Sequence, residues 1–170
     1  MSTRFGIITP PVSGHINPLA ALGRELQRRG HSVTVFHMAD LRQRVQSEGL
    51  LFQEIGGQDH PPGTLAQTLE GIGGLTGWAA LRFTVHAAAR TTRMFLRDAP
   101  AAIRTAGIEA LLVDQTEPAG ASIAELSRLP FATICNALVL NEDPSSRRPL
   151  HPGVTLPTRS PGCATGWVIA

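Results

Sequence analysis

The chain has 170 residues, 42% of them hydrophobic and 16% charged, with a net charge of +2. That length suggests one domain able to bury about 70% of its unfolded surface, and the composition excludes a disordered chain. All fifteen basic residues are arginine, scattered apart from the pairs Arg28-Arg29 and Arg147-Arg148, so they read as solvated faces and exclude nucleic acid as a partner. Cys135 and Cys163 lack metal or redox spacing, so no metal site is expected. Cys135 lies in an apolar run and is expected as a buried, reduced thiol. The start shows no signal-like segment, no apolar run reaches membrane-spanning length, and a cytoplasmic location is expected.

Residues 4–9 read as a first strand. It is stopped by Pro10 and Pro11, which cannot donate to a ladder. The stretch Thr9-Pro10-Pro11-Val12-Ser13-Gly14-His15-Ile16-Asn17-Pro18 follows. Gly14 permits a sharp turn or close approach to a ligand. Asn17 is a good N-cap and Pro18 suits a first helical position, which predicts a helix over 18–29. Leu19, Leu22 and Leu26 give it an apolar stripe, and Gly30 ends it. Residues 32–37 form a second strand, so the first forty residues are a βαβ unit. A helix is expected over 40–48, capped by Asp40, and a strand over 51–55. From Gly56 to Gly77 regular order weakens, with seven glycines and a short helix expected over 64–69. A long helix is predicted over 76–106, with a break near Pro100. Its Trp78, Phe83, Met94 and Phe95 either line an apolar pocket or pack on the sheet, and packing is the commoner fate. Residues 110–114 make a continuous apolar strand of the buried parallel kind, ending in Asp114. A helix over 118–128 and a strand over 131–135 complete the pattern. Residues 1–140 are therefore expected as an α/β domain, with a doubly wound, mostly parallel sheet and helices on both faces. Residues 141–170, with five prolines and three arginines, are expected as an irregular tail.

His15 follows the first strand and Asp114 ends the fourth, so both fall on the carboxyl edge of the sheet, where open α/β sheets bind ligands. The positive end of the helix disfavours a cationic imidazole there. A carboxylate beside the ring fixes its tautomer, and the second ring nitrogen can take a proton from a bound hydroxyl. A serine hydrolase is disfavoured, because no Gly-x-Ser-x-Gly elbow is present. The glycines of 71–77 fit neither phosphate-binding pattern and the chain contains no lysine. A nicotinamide site lacks its Gly-x-Gly-x-x-Gly turn, and the second strand ends in His37 in place of a ribose-binding acid.

The run from Phe5-Gly6-Ile7-Ile8 through Gly14-His15-Ile16-Asn17-Pro18, with Arg29-Gly30-His31-Ser32-Val33, Val113-Asp114-Gln115-Thr116-Glu117-Pro118 and Asn136-Ala137-Leu138, resembles the two-domain glycosyltransferases that use nucleotide sugars. The similarity covers residues 4–143 and points to the bacterial branch acting on zeaxanthin and macrolides. The resemblance implies an inverting transfer from a UDP-sugar co-substrate, with no metal or bound cofactor. His15 would be the base, Asp114 its support, and Val12, Gly14, Trp78, Gln115 and Asn136 would border the acceptor, a hydrophobic hydroxyl-bearing small molecule. That family also needs a donor-binding domain, which these residues do not supply. The chain is therefore expected to be the acceptor-binding half of such an enzyme, truncated and inactive alone, or completed by a donor-binding chain. The alternative is a non-catalytic small-molecule-binding module.

Overall fold

The computed structural model describes residues 2–136 and the backbone of Gly166–Ile169. Five strands, β1 (Arg4–Ile8), β2 (Ser32–His37), β3 (Leu51–Glu54), β4 (Ala110–Asp114) and β5 (Phe131–Ile134), form a parallel sheet in the order β3-β2-β1-β4-β5. Gly166–Ile169 adds a sixth parallel strand, β6, beside β5. The rest of the tail expected to be irregular lies outside the described residues. The fold is the expected doubly wound one. The chain lays β2 and β3 on one side of β1, then crosses to place β4 and β5 on the other.

Strand pleating sorts the apolar residues into two layers. Ile7, Val33, Val35 and Leu112 face one layer, with Leu19 and Ala20 of helix α1 (Ser13–Arg28) and Val45 of α2 (Arg42–Ser47). Ile8, Phe36, Leu111 and Val113 face the other, against α4 (Gly77–Thr105) and α5 (Ala119–Ser127). Helix α3 (Thr64–Gly73) precedes α4 and packs beside it. Met94 and Phe95 are fully buried in the second layer, so they pack on the sheet. The Phe95 ring meets the buried His37 ring edge to face at 5.1 Å.

Several local expectations are corrected. Helix α1 begins at Ser13, with extended Val12 as its N-cap, and Pro18 lies inside it. Pro18 forfeits one bond, to the carbonyl of exposed Gly14, where water can substitute. Asn17 is consequently no cap; its Oδ1 accepts from the Arg44 guanidinium and ties α1 to α2. Asp40 sits in a single 3-10 turn, Ala39–Leu41. Its carboxylate accepts from the backbone N–H groups of Gly63 and Leu65, both at 2.7 Å, and so caps α3 instead of its own helix. Helix α3 runs four residues beyond the expected end, to Gly73. Helix α4 passes through Pro100 without a break, held by Phe95, Ala99 and Ile103 buried on either side of it. Cys135 is free but only half-buried, and partial burial with the nearby Asp114 charge raises its thiol pKa.

Candidate functional site

Strands β1 and β4 are adjacent and parallel, with Ile8 opposite Val113. The chain reverses its winding direction between them, and the crevice beyond their carboxyl ends is where such sheets bind ligands. Two loops meet there. The first, after β1, enters α1 within a few residues. That start places His15 in the first turn of α1, pointing across to β4.

His15 Nδ1 lies 2.8 Å from Asp114 Oδ2. The Asp114 side chain has no exposed surface, and His15 keeps about a quarter of its own. A buried carboxylate needs donors, and Asp114 has four. Oδ2 accepts from His15 and from Asn136 Nδ2 at 2.6 Å. Oδ1 accepts from the Thr116 backbone N–H at 2.8 Å and from Thr116 Oγ1 at 2.6 Å. With Nδ1–H directed at the carboxylate, Nε2 of a neutral His15 carries the free lone pair. The sequence brought His15, Asp114 and Asn136 into consideration, and the structure joins all three. Thr116 was not singled out, although it holds Asp114 twice and lies 3.3 Å from His15 Nδ1. A hydroxyl two residues after a strand-ending Asp was the available signal, since that spacing favours a side-chain turn.

Beside the dyad a cleft of about 220 Å³ opens between the two loops and helices α3 and α4. Its walls are mostly apolar and include Pro11, Val12, Leu69, Ile72, Ala87 and Ala88. Polar groups come chiefly from threonines, among them Thr91 and Thr116, and from Glu117. Gly14 stands exposed between Val12, which lines the cleft, and His15. Gln115 is half-buried, and its backbone N–H bonds the Ile134 carbonyl across β5. Trp78 is not brought to this cleft. It is 85% exposed and borders a separate shallow groove with Leu75, Ala79 and Phe83. Position 78 lies at the start of α4, whose buried residues run from Thr91 to Ile103.

Glu117 is a second residue that sequence reasoning passed over. It is buried, and Oε1 accepts weakly from Thr92 Oγ1 at 3.4 Å and the Ala119 backbone N–H at 3.3 Å. Burial, partly opposed by those two bonds and reinforced by the Asp114 charge, pushes its carboxyl up to about 7. The cleft therefore presents a carboxyl able to donate as well as accept near neutrality.

The fold has counterparts among solved structures. A glycosyltransferase from Streptomyces nogalater matches with a TM-score of 0.61 over 81% of this chain and 34% of its own, at 23% identity. The N-terminal domain of glycosyltransferase family 28 matches residues 12–131, and the chain belongs to that family. The zeaxanthin glucosyltransferase of Pantoea ananas is 37% identical over 142 residues, which is 84% of this chain and 33% of that protein. A sterol 3-beta-glucosyltransferase of Eremothecium gossypii is 31% identical over 132 residues, 75% of this chain and 10% of that protein. The chain spans about a third of the length of the zeaxanthin enzymes it resembles.

Proposed function

We propose that this chain holds an apolar, hydroxyl-bearing small molecule in the cleft and supplies the base for its glycosylation. His15 Nε2 takes the hydroxyl proton as the oxygen attacks the anomeric carbon of a UDP-sugar. The bond from that carbon to the phosphate oxygen breaks, UDP leaves, and the configuration inverts. Asp114 keeps the imidazole in the productive tautomer and stabilises the imidazolium that forms. Val12, Gly14, Gln115 and Asn136 border the reacting hydroxyl. Trp78 lies on the outer groove and would meet only the far end of a long acceptor. The observation that carries the reading is the 2.8 Å His15–Asp114 bond, joined through Thr116 to a mostly apolar cleft. Zeaxanthin and sterols, named in the relatives, are hydroxyl-bearing hydrocarbons that suit such walls. The donor is bound by a unit outside these residues. The reading puts the chain in the cytosol.

The test combines the chain with a separately produced donor-binding domain and follows sugar transfer to a carotenoid or sterol alcohol. His15→Ala should lower kcat/KM by about 10²–10⁴-fold, the usual worth of a positioned base, while acceptor affinity holds. Equal turnover by the variant would remove the dyad from the mechanism. Acceptor binding without any transfer by the reconstituted wild type would favour the non-catalytic binding module.

A further inference from the structure

A ligand oxygen that brings no proton of its own needs a donor, and the cleft walls are short of them. Four threonines line the cleft, Thr68, Thr84, Thr91 and Thr116. Each hydroxyl proton is already committed. Thr68, Thr84 and Thr91 donate to the carbonyls of Thr64, Ala80 and Ala87, one turn back on their own helices, at 2.8, 2.9 and 3.3 Å. Thr116 donates to Asp114 Oδ1 at 2.6 Å. These hydroxyls can still accept a hydrogen bond, but their protons are taken. Among the described residues that line the cleft, every other side chain is apolar except that of Glu117. Both bonds that Glu117 receives, from Thr92 Oγ1 and the Ala119 N–H, fall on Oε1. Its Oε2 has no partner among the described residues and is not sealed off by protein. In a neutral carboxyl the oxygen that accepts twice is the carbonyl oxygen, so the proton falls on Oε2. Burial, reinforced by the Asp114 charge, keeps the group neutral up to about pH 7. Asp114 on β4 and, behind it, His15 on α1 are its titratable neighbours; the walls from α3, α4 and the loop after β1 present none.

We propose that Glu117 sets acceptor specificity: its Oε2–H donates to a carbonyl oxygen of the ligand, so the cleft selects apolar alcohols that also carry a ketone close to the reacting hydroxyl. The inference rests on the reading of the cleft as an acceptor site. The closeness of the two groups follows from Thr116, which lies 3.3 Å from His15 Nδ1 and directly precedes Glu117, their Cα atoms about 3.8 Å apart. The sign of the selection follows from desolvation. A plain hydrocarbon alcohol closes over Oε2–H and leaves a buried donor unpaired, whereas a ketone replaces the water that the carboxyl loses. A second hydroxyl is selected less sharply, because it can pair with any threonine oxygen along the wall.

Titration of the chain by NMR with two ligands tests this, a decalin alcohol and the α-hydroxy ketone of the same ring system. At about pH 6 the wild type should bind the hydroxy ketone about tenfold more tightly, the worth of one buried donor left paired instead of unpaired. The preference should fade as pH rises through about 7, because a carboxylate cannot donate. Glu117→Gln sets an amide N–H where Oε2–H stood and should keep the preference at every pH. Glu117→Leu should bind the two ligands alike. Equal binding of both ligands by the wild type, a preference that survives Glu117→Leu, or a wild-type preference indifferent to pH would each overturn the inference and leave the cleft as an acceptor site. Binding of neither ligand would overturn it together with the acceptor-site reading. No arm depends on sugar transfer, so the His15→Ala result is read separately.

Discussion

At the scale of single residues, burial sets the protonation states of Glu117 and His37, and the two act in opposite directions. The Glu117 carboxyl rises from an ordinary 4.5 to about 7. The folded state then holds a proton that the unfolded chain releases between these values. Stability from this group is full below pH 4.5 and is lost as pH rises towards 7, at a total cost of up to about 3 kcal/mol. His37 is wholly buried, its Nε2–H donated to the Thr9 carbonyl and its Nδ1 accepting from the Met38 N–H. Burial, only partly offset by the Thr9 carbonyl, lowers it to about 3. Its contribution is present above pH 6.5 and is lost as pH falls from there towards 3. Glu117→Gln isolates the first effect, because His37 is common to both proteins. The variant should be more stable than wild type by about 1–3 kcal/mol at pH 8, with the gain shrinking towards pH 4.5. Urea unfolding at several pH values measures it, and a pH-independent difference would show that Glu117 is not the titrating group.

Among the elements, two contacts carry more weight than their sequence suggests. The first is the Asp40 carboxylate on the N-terminus of α3. Asp40→Ala should cost about 1 kcal/mol, the usual loss for a helix cap. Amide exchange should quicken in α3 first, while the strands stay protected. The second is Gly120, where α5 crosses β4 so closely that a Cβ would overlap Val113 Cγ1. Val113 is buried and cannot withdraw. Gly120→Ala should destabilise by about 1–3 kcal/mol through overpacking, and Val113→Ala in the same chain should recover part of the loss, as a double-mutant cycle would show.

For the molecule as a whole, the sheet separates two apolar layers and joins them mechanically. Phe95 is fully buried in the layer under α4 and touches His37 of β2. Phe95→Ala should therefore cost about 3–5 kcal/mol. Because both layers share every strand, unfolding followed by circular dichroism and by hydrodynamic radius should still coincide. The same sheet aligns the site. Only the reversal of winding between β1 and β4 brings residues 99 positions apart to 2.8 Å.

Between residues 2 and 136 the order of the strands and main helices was written in the sequence. Strand pleating, the helical spacing of Leu19, Leu22 and Leu26, and the proline and glycine punctuation all act over a few residues, so they can be read locally. His15 and Asp114 were legible for the same reason, since each terminates or follows a recognisable strand. Cap partners were not. Asn17 and Asp40 have the side chains that cap helices, yet their partners are on other elements, and only packing chooses between a near donor and a distant one. Pro18 and Pro100 do not break their helices, because the surrounding contacts outweigh one lost hydrogen bond. Glu117 carried no local signal of its burial, which only the packing around the cleft supplies, and Trp78, which the resemblance set beside the acceptor, stands in solvent at the start of α4. Local chemistry determined which pieces exist; the three-dimensional arrangement decided which side chains lose their water, and with it their charge state and their partners.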